Sequence, residues 1–354
     1  MRIHASRTLL ATPHPEGWLV YNFLTKSAVL CSPEAVACLQ RLGDGAVGDD
    51  LALPGGEAER LLVDSLVEND LALIEGSEAS AREDEFLRKW KWGMAAAALH
   101  CATLNCDFMS LDEQAEAQAT LRKAGSQPDL LRRHAAAATA LPRPGSTLES
   151  ADLLPTMLRR RTNRVAAPVP LSLQQLSDCL YAGLAITGSV ETPSGPLPLA
   201  ITPSGGARNP YEAYVYVAAV ADLAPGFYHY SGYDHSLELI RGGAEAEPER
   251  MLAGQDWAAA MPAIILLVAH LERPMWKYQD ANAYRVMLIE AGHIGQNIML
   301  AATAHGLSAC PTAALHHDTV CRNLGLTDVL HVPVYALTLS LPGAAPEGEM
   351  RVVL

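Results

Sequence analysis

The sequence lacks long apolar runs and an excess of basic residues. Its most apolar stretch, AIILLVAHL from Ala263, has the length of a strand, well short of the ~18 residues that a membrane span needs. The N-terminal stretch MRIHASRTLLATPHPEGW has neither a long apolar core nor a cleavage site, so no signal peptide is expected. The formal net charge of −13 would repel the phosphates of nucleic acids. We therefore expect a cytoplasmic protein that neither spans a membrane nor binds nucleic acid.

Paired cysteine motifs are absent as well. The seven cysteines are odd in number and form no CxxC, which is typical of free thiols in a reducing compartment. The segment CPTAALHHDTVC, with Cys310, His316, His317 and Cys321, matches no standard metal-ligand spacing. No GxGxxG loop follows a strand, so the phosphate-binding signature of dinucleotide sites is missing. We expect no metal site.

What the chain does contain is enough apolar material for a large core. Hydrophobic residues make up 49% of the sequence and charged residues 18%. We predict three parts: a small N-terminal module over residues 1–80, a helical connector over 81–145, and a larger domain over 146–354. The Pro/Gly/Ser stretch LPRPGSTLES at 141–150 is the expected boundary.

The N-terminal module is predicted to be winged-helix-like. WLVYNFL and AVL flank the polar turn Thr25-Lys26-Ser27, as in a hairpin. Ser32-Pro33-Glu34 then predicts a helix start, EAERLLVDSLVEND a second helix, and LALIEG a short strand. Residues 1–78 hold twelve acidic and five basic side chains, which disfavours DNA binding. A contact with a peptide or protein and a packing role without a ligand both remain open.

The rest of the chain mixes helices and strands. EFLRKWKWGMAAAALHCATLN and the alanine-rich LLRRHAAAATA predict helices in the connector. From residue 150 the pattern runs helix, helix, strand, hairpin, helix, strand, long helix and strand. This order predicts an α+β domain.

The segment LRRRTNRV is a candidate phosphate site. Arg160, Thr162 and Arg164 alternate and would share one side of an extended segment. Guanidinium groups present a fixed fork of donors that suits a phosphate. The alternative is a solvated basic turn before a helix capped by Ser172 and Gln175.

The segment PSGGARNPYEAYVYV is a second candidate. Pro203, Ser204, Gly205 and Gly206 form a run of small residues that carries one cation, Arg208, before an alternating strand. Adjacent glycines permit positive φ or a close approach by another group. The alternatives are a loop against a flat, polar ligand with an anionic group and a tight turn with no ligand.

A third feature is a long helix that follows the buried strand and the residues RPMWKY. The helix is mostly apolar but carries Glu290, His293, Gln296 and Asn297 in its middle. Buried polar groups need partners, so this part of the helix should meet a cofactor, another subunit or a polar network. Gly292 and Gly295 would permit close packing.

The order RRTNR, PSGGARNPYEAYVYV, PGFYHY, WKY, LIEAGHIGQN and CP resembles the nitroreductase-like flavoproteins of the SagB type. These are FMN-dependent azoline dehydrogenases, the thiazole- and oxazole-forming oxidases of ribosomal peptide natural-product pathways. The resemblance covers residues 150–342 strongly and the upstream part weakly. It implies an α+β, nitroreductase-like FMN-binding fold preceded by the small N-terminal module.

The resemblance also assigns roles to residues. It implies that Arg160, Thr162 and Arg164 hold the FMN phosphate, that the PSGGAR loop lies against the flavin ring, commonly from the partner subunit, and that the CPTAA loop covers the flavin's other edge. Lys277 and Tyr278 match the catalytic pair of the family. The complete set of expected cofactor contacts is Arg160, Thr162, Arg164, Pro203, Ser204, Gly205, Gly206, Arg208, Gln296, Pro311 and Thr312.

The implied reaction is oxidation of a thiazoline or oxazoline ring in a peptide or peptide-like intermediate to the azole. A homodimer is expected, with a cyclodehydratase or another modifying protein as a further partner. Two alternatives remain open. One is a different flavin reaction on the same fold, such as an NAD(P)H-dependent reductase or a dehydrogenase of another natural-product intermediate. The other is a non-catalytic scaffold in a modifying complex.

Overall fold

The chain forms two compact units. A computed structural model describes residues 2–43, 56–105, 110–134, 138–192, 195–243 and 246–344. One unit comprises Met1–Phe108 with Asp280–Asn282, and the other comprises Met109–Gln279 with Ala283–Leu354. The division at Phe108 falls inside the segment predicted as a connector. Within the described ranges, no helix combines the length and apolarity required to cross a membrane.

In its described residues, the first unit contains two small antiparallel sheets and four helices. A three-stranded sheet has the order β2-β3-β4, and β1 pairs with β5. The hairpin of β3 and β4 confirms the prediction from WLVYNFL and AVL, and Ser32 Oγ accepts a hydrogen bond from the Ala35 N–H at the start of α1. The winged-helix comparison stays a prediction. The elements are β1 Ile3–Ala5, β2 Leu9–His14, β3 Gly17–Asn22, β4 Ser27–Cys31, α1 Pro33–Gly43, α2 Gly56–Glu68, β5 Ala72–Ile74, α3 Glu78–Lys89 and α4 Met94–Ala102.

The second unit has the mixed helix and strand content that the sequence predicts. Its elements are α5 Leu111–Ala124, β6 Thr139–Ala140, α6 Ser146–Glu149, α7 Leu153–Arg159, α8 Leu173–Leu184, β7 Ile186–Val190, β8 Leu197–Ala200, β9 Tyr211–Val217, β10 Gly226–Ser231, β11 Ser236–Gly242, α9 Pro248–Met251, β12 Ala263–His270, α10 Glu272–Lys277, α11 Asn282–Ala304, β13 Ser308–Thr312, α12 His317–Leu324 and β14 His331–Ser340.

A seven-stranded antiparallel sheet organises this unit, in the order β13-β14-β12-β9-β10-β11-β6. Alternate residues of β9 point to opposite faces, so each face buries its own core. Val215 belongs to the core that includes Leu180 of α8 and Ile298 of α11. Tyr216 belongs to the other core, with Val320 of α12. The central strands are therefore apolar on both faces.

The helix predicted for LLRRHAAAATA is wrong in its described residues. Arg132, Arg133 and His134 lie outside regular structure, and Thr139–Ala140 forms β6 against β11. Arg133 Nη1 donates to Asp234 Oδ1 at 3.2 Å, and His134 Nδ1 lies 2.9 Å from Ser236 Oγ. Alanine has the highest intrinsic helix propensity, but propensity is a weak preference that tertiary contacts such as these outweigh. Residues 135–137 lie outside the described part.

The start of α8 and the packing of α11 follow from identifiable residues. Ser172 and Gln175 form the predicted capping box at the start of α8. On α11, a Cβ at Gly295 would lie 2.5 Å from Tyr335 Cε1, so this glycine permits close packing against β14. Gly292 has no neighbour within 4 Å of its Cβ position. The close packing predicted for both glycines therefore holds within the described chain only for Gly295.

Candidate functional site

The PSGGARN loop connects β8 to β9 through left-handed backbone conformations. Gly206 has φ +61°, and the non-glycine residues Ala207 and Asn209 have φ 54° and 45°. Ser204 Oγ accepts a hydrogen bond from the Asn209 N–H at 2.8 Å and closes the loop. Left-handed conformations at non-glycine residues store strain and cluster at functional sites. The loop is thus held in one defined shape.

Lys277 and Tyr278 lie directly against this loop. A Cβ at Gly206 would be 2.3 Å from Tyr278 Oη and 2.7 Å from Lys277 Nζ, so a larger residue would have to displace both groups. Both residues stand at the C-terminal end of α10, where the Tyr278 N–H donates to Pro274 O at 2.8 Å. The structure thereby brings together the predicted catalytic pair and the predicted cofactor loop. Within this chain, Gly206 leaves room for the side chains of Lys277 and Tyr278.

Arg208 brings a buried positive charge to the same place. Its side chain is 3% exposed, and its Nε donates to Gly206 O at 3.0 Å. Its Nη1 is buried and has no hydrogen-bond partner among the described residues. Burial lowers the pKa of Arg208, and the electrostatic interaction with Tyr278 acts in the opposite direction. A buried donor without a partner is costly, so this group is suited to bind an acceptor on a ligand.

Glu290 of α11 is hydrogen-bonded to the loop. Its carboxylate is 6% exposed and accepts a hydrogen bond from the Gly205 N–H at 3.3 Å. Burial raises the pKa of Glu290 to about 7, although the hydrogen bonds from Ser204 and Gly205 oppose the shift. Asn297, also on α11, donates to Thr202 Oγ1 at 3.0 Å. The sequence left a cofactor, another subunit or a polar network as partners for this part of the helix. Glu290 and Asn297 take part in a polar network.

His293 and Gln296 on the same helix are exposed. Neither side chain reaches the loop through a hydrogen bond within the described residues. The predicted cofactor contact of Gln296 is therefore not part of the cluster around Gly206.

The phosphate-site candidates follow α7 in a segment without regular secondary structure. Arg160 is half-buried, and Thr162 and Arg164 are exposed. In the part of the chain that the structure describes, neither the Arg160 guanidinium nor the Thr162 hydroxyl has a hydrogen-bond partner. The Arg164 guanidinium lies 5.7 Å from the centre of the Trp257 ring. Burial raises the pKa of the Cys310 thiol, and the interaction of that thiol with Arg164 acts in the opposite direction. Donors are thus available along this segment.

The CPTAA segment differs from the predicted loop. Pro311 and Thr312 belong to the edge strand β13, opposite Leu337 and Ala336 of β14. An edge position tolerates a proline because one side of the strand needs no ladder hydrogen bond. Thr312 Oγ1 accepts a hydrogen bond from Gln255 Nε2 at 3.1 Å. Both residues are half-buried, and Arg164 connects this strand to the phosphate-site candidates.

A buried charge network beside the loop was missed at the level of sequence. Arg273 Nη2 lies 2.5 Å from Glu212 Oε1, and His229 Nε2 lies 2.9 Å from Glu212 Oε2. Burial alone would raise the pKa of Glu212, but the hydrogen bond from His229 and the charge of Arg273 lower it to about 2. Arg273 also donates to Asn209 O at 3.1 Å, so the network holds the end of the loop.

The same network borders a cavity of about 650 Å³. The cavity is lined by Glu212, His229 and Arg273 together with residues that include Arg132 and Tyr233. Its volume is in the range of small-molecule sites. The available sequence signal was Glu212 itself, a charged residue in the otherwise uncharged strand YEAYVYV.

The Glu290 carboxyl should make folding stability depend on pH. Its pKa is about 7 in the folded chain against an ordinary value of 4.5, so between these values the folded chain retains a proton that the unfolded chain has lost. Stability should therefore fall as the pH rises through this interval, by at most on the order of 3 kcal/mol. Glu290→Gln, which cannot ionise, should lack this fall in thermal unfolding measured across the same interval.

Glu149→Gln is the matched control, since Glu149 is exposed on α6. It should keep the pH profile of the wild-type protein. Identical profiles for wild type and Glu290→Gln would contradict a buried acid at this position.

Comparison with known proteins adds the family. The Nitroreductase family model matches residues 157–340. The nitroreductase-like protein MJ1384 of Methanocaldococcus jannaschii is 29% identical over 194 residues, which are 54% of this chain and 90% of that protein. The trifolitoxin-processing protein TfxB of Rhizobium leguminosarum bv. trifolii is 32% identical over 166 residues, 44% of this chain and 43% of TfxB. The trifolitoxin operon protein TfxC of the same organism is 23% identical over 287 residues, 78% of this chain and 80% of TfxC.

The family match extends from α7 to the end of β14 and contains the RRTNR segment, the PSGGARN loop, α10 and α11. It confirms the resemblance that these motifs carry. Because the match spans more than half of the sequence, this chain belongs to the nitroreductase family.

Proposed function

We propose that this protein is an FMN-dependent dehydrogenase that oxidises a thiazoline or oxazoline ring in a peptide or peptide-like intermediate to the azole. The observation that carries the proposal is the contact of Lys277 and Tyr278 with Gly206. It joins a proton-accepting pair to the loop that the family places against its flavin. Two of the relatives support the substrate class, since TfxB is named for trifolitoxin processing and TfxC for the trifolitoxin operon.

The residues present fit FMN. Arg208 offers, near the loop, a buried donor that no described residue pairs with, which suits a polar edge of a flavin ring. Arg160 and Thr162 offer donors that no described residue uses, in the irregular segment that follows α7. These donors suit a single terminal phosphate. FMN bound here would supply the hydride acceptor that the oxidation requires.

The chain's own contribution would be proton removal and orientation. Lys277 Nζ lies 5.2 Å from the centre of the Tyr278 ring, so the two groups can act on the same ring carbon of a substrate. Arg208 places a fixed positive charge beside Tyr278. The Arg273–Glu212 pair and Glu290 hold the two ends of the loop. Proton transfer to a positioned base contributes typically ~10²- to 10⁴-fold in rate.

Lys277→Ala and Tyr278→Phe should each lower the turnover of a thiazoline peptide by roughly 10²- to 10⁴-fold. Both variants should still bind FMN, because neither residue is assigned to the phosphate. The measurement is the loss of two hydrogens from the peptide by mass spectrometry, together with the flavin absorbance of each variant. Lys123→Ala removes an exposed lysine of α5 and should behave as wild type.

Wild-type turnover in both variants would show that the pair is structural. Rapid bleaching of the flavin by NAD(P)H, without oxidation of the azoline, would instead favour a reductase.

The purified protein should release FMN, and no FAD, on denaturation. Arg160→Ala and Arg164→Ala should weaken FMN binding by roughly 10- to 100-fold, the value of a hydrogen bond to a charged group. The dissociation constant can be measured by titrating the stripped protein with FMN. Arg161→Ala is the control, because the Arg161 guanidinium bonds to the carbonyls of Leu158 and Arg160. Release of FAD, or an equal loss in the Arg161 variant, would contradict the assignment.

Exposed apolar surface in the second unit supports a homodimer. Two helices present large hydrophobic side chains that are 38% to 65% exposed. Contiguous apolar surface on a water-soluble protein marks interaction sites. The residues concerned are Leu153, Leu154, Met157 and Leu158 of α7 and Tyr284, Val286, Leu288 and Ile289 of α11.

Ile289→Lys should convert a dimer into a monomer, because it would bury an unpaired charge at the interface. Sedimentation equilibrium of the purified protein measures the change. Val329→Lys is the control, since Val329 is 85% exposed outside both helices. A wild-type monomer with full flavin occupancy would contradict the proposed dimer.

The first unit is proposed to engage a partner or the peptide. Its three-stranded sheet exposes Leu10, Leu19 and Leu30, and Leu19 stands directly opposite Leu30 on the neighbouring strand. This apolar face, in a segment rich in acidic residues, is suited to a protein or peptide contact. A cyclodehydratase or another modifying protein is the expected class of partner.

A further inference from the structure

We propose that His270, Glu272 and His331 form a binding site for a divalent transition-metal ion, with Zn²⁺ the best match to the ligand set. One ligand atom from each residue lies within 4.8 Å of the other two. The residues come from the end of β12, the start of α10 and the start of β14. All three belong to the second unit.

The backbone places the two histidines side by side. His270 and His331 are direct partners in the antiparallel pairing of β12 and β14. Residues directly opposite on antiparallel strands project to the same face of the sheet with Cβ atoms ~5 Å apart. Their imidazole rings lie 3.8 Å apart between centres. The register therefore presents two nitrogen ligands together before any ligand binds.

Glu272 completes the set. Its Oε1 lies 3.3 Å from His270 Nδ1 and 3.5 Å from His331 Nε2. Ligand atoms bound to Zn²⁺ at about 2.0–2.2 Å lie about 3–4 Å from one another, which matches these separations. Two histidines and one glutamate also form a known three-ligand zinc set, in which a water takes the fourth position.

The polar atoms of the cluster are not otherwise satisfied. Glu272 Oε2 and His270 Nε2 are buried and have no hydrogen-bond partner among the described residues. A carboxylate with a free, buried oxygen gains most from a cation, because neutral donors are absent there. Glu272 and His331 remain 30% and 21% exposed, which leaves an entry path for an ion.

The nearby positive charge of Arg273 acts on His270, and the negative charge of Glu212 acts in the opposite direction. Arg273 follows Glu272 in the chain, but its guanidinium is paired with Glu212 and donates to the carbonyls of Asp129 and Asn209. A bound ion would tie the first residue of α10 to two strands of the central sheet. Because α10 ends at Lys277 and leads directly into Tyr278, the ion would fix the helix that carries the proposed catalytic pair.

The test uses the full chain, treated with a chelator and then titrated with Zn²⁺ and, separately, with Co²⁺. We expect one equivalent to bind, a visible Co²⁺ absorption band, and a higher thermal unfolding temperature with Zn²⁺. His331→Ala and Glu272→Gln should each weaken binding by at least ~10- to 100-fold, the loss that follows even removal of an outer partner of a metal ligand. His331 is chosen because its partial exposure makes misfolding of the variant less of a concern.

His317→Ala is the matched control. His317 is exposed on α12, with Cys321 Sγ 3.6 Å from its Nε2, so it represents adventitious binding by a surface histidine. The control should keep the strong site. Absence of a stoichiometric ion in the wild-type protein, or equal binding by wild type and His331→Ala, would overturn the proposal. Neither outcome would affect the proposed flavin chemistry, which uses other residues.

Discussion

The missing side chain of Gly206 is the constraint on which the rest of the site depends. Lys277 Nζ and Tyr278 Oη occupy the space that a Cβ would take, so a larger residue at position 206 would have to displace both groups. Gly206 also has a positive φ, which is a second reason why glycine suits this position. The contact joins segments that are some 70 residues apart in the chain, in a manner that tolerates little change in either.

Buried charges hold the loop in place from two directions. Glu212 and Arg273 fix its end through Asn209, and Glu290 accepts from Gly205 near its start. Charges removed from water are expensive unless they are paired, and the Glu212 pair meets that condition. Arg208 does not, because its Nη1 has no partner among the described residues. Arg208 interacts electrostatically with Tyr278, so the unsatisfied group belongs to a residue near the proposed catalytic pair.

The family and the geometry support different parts of the proposal. The family match shows the fold class and makes a flavin the expected cofactor. The local arrangement of Lys277, Tyr278 and Arg208 supports a reaction that removes a proton from a bound substrate. Two relatives are named for trifolitoxin processing and for the trifolitoxin operon, and the match to TfxC extends over most of both chains. The proposed oxidation of an azoline combines these three lines of support.

Local sequence was sufficient for features that depend on neighbours in the chain. The hairpin of β3 and β4, the capping box of Ser172 and Gln175, the buried strand β12 and the long helix α11 all follow from periodicity, turn residues and caps. Ordered motifs were sufficient for the family. Tertiary contacts decided the rest, because they join residues that no local pattern links. They hold Arg132, Arg133 and His134 outside the predicted helix. They also place Cys310, Pro311 and Thr312 in the edge strand β13 and pair Glu212 with Arg273. They also set His270 beside His331, a proximity that strand register alone creates.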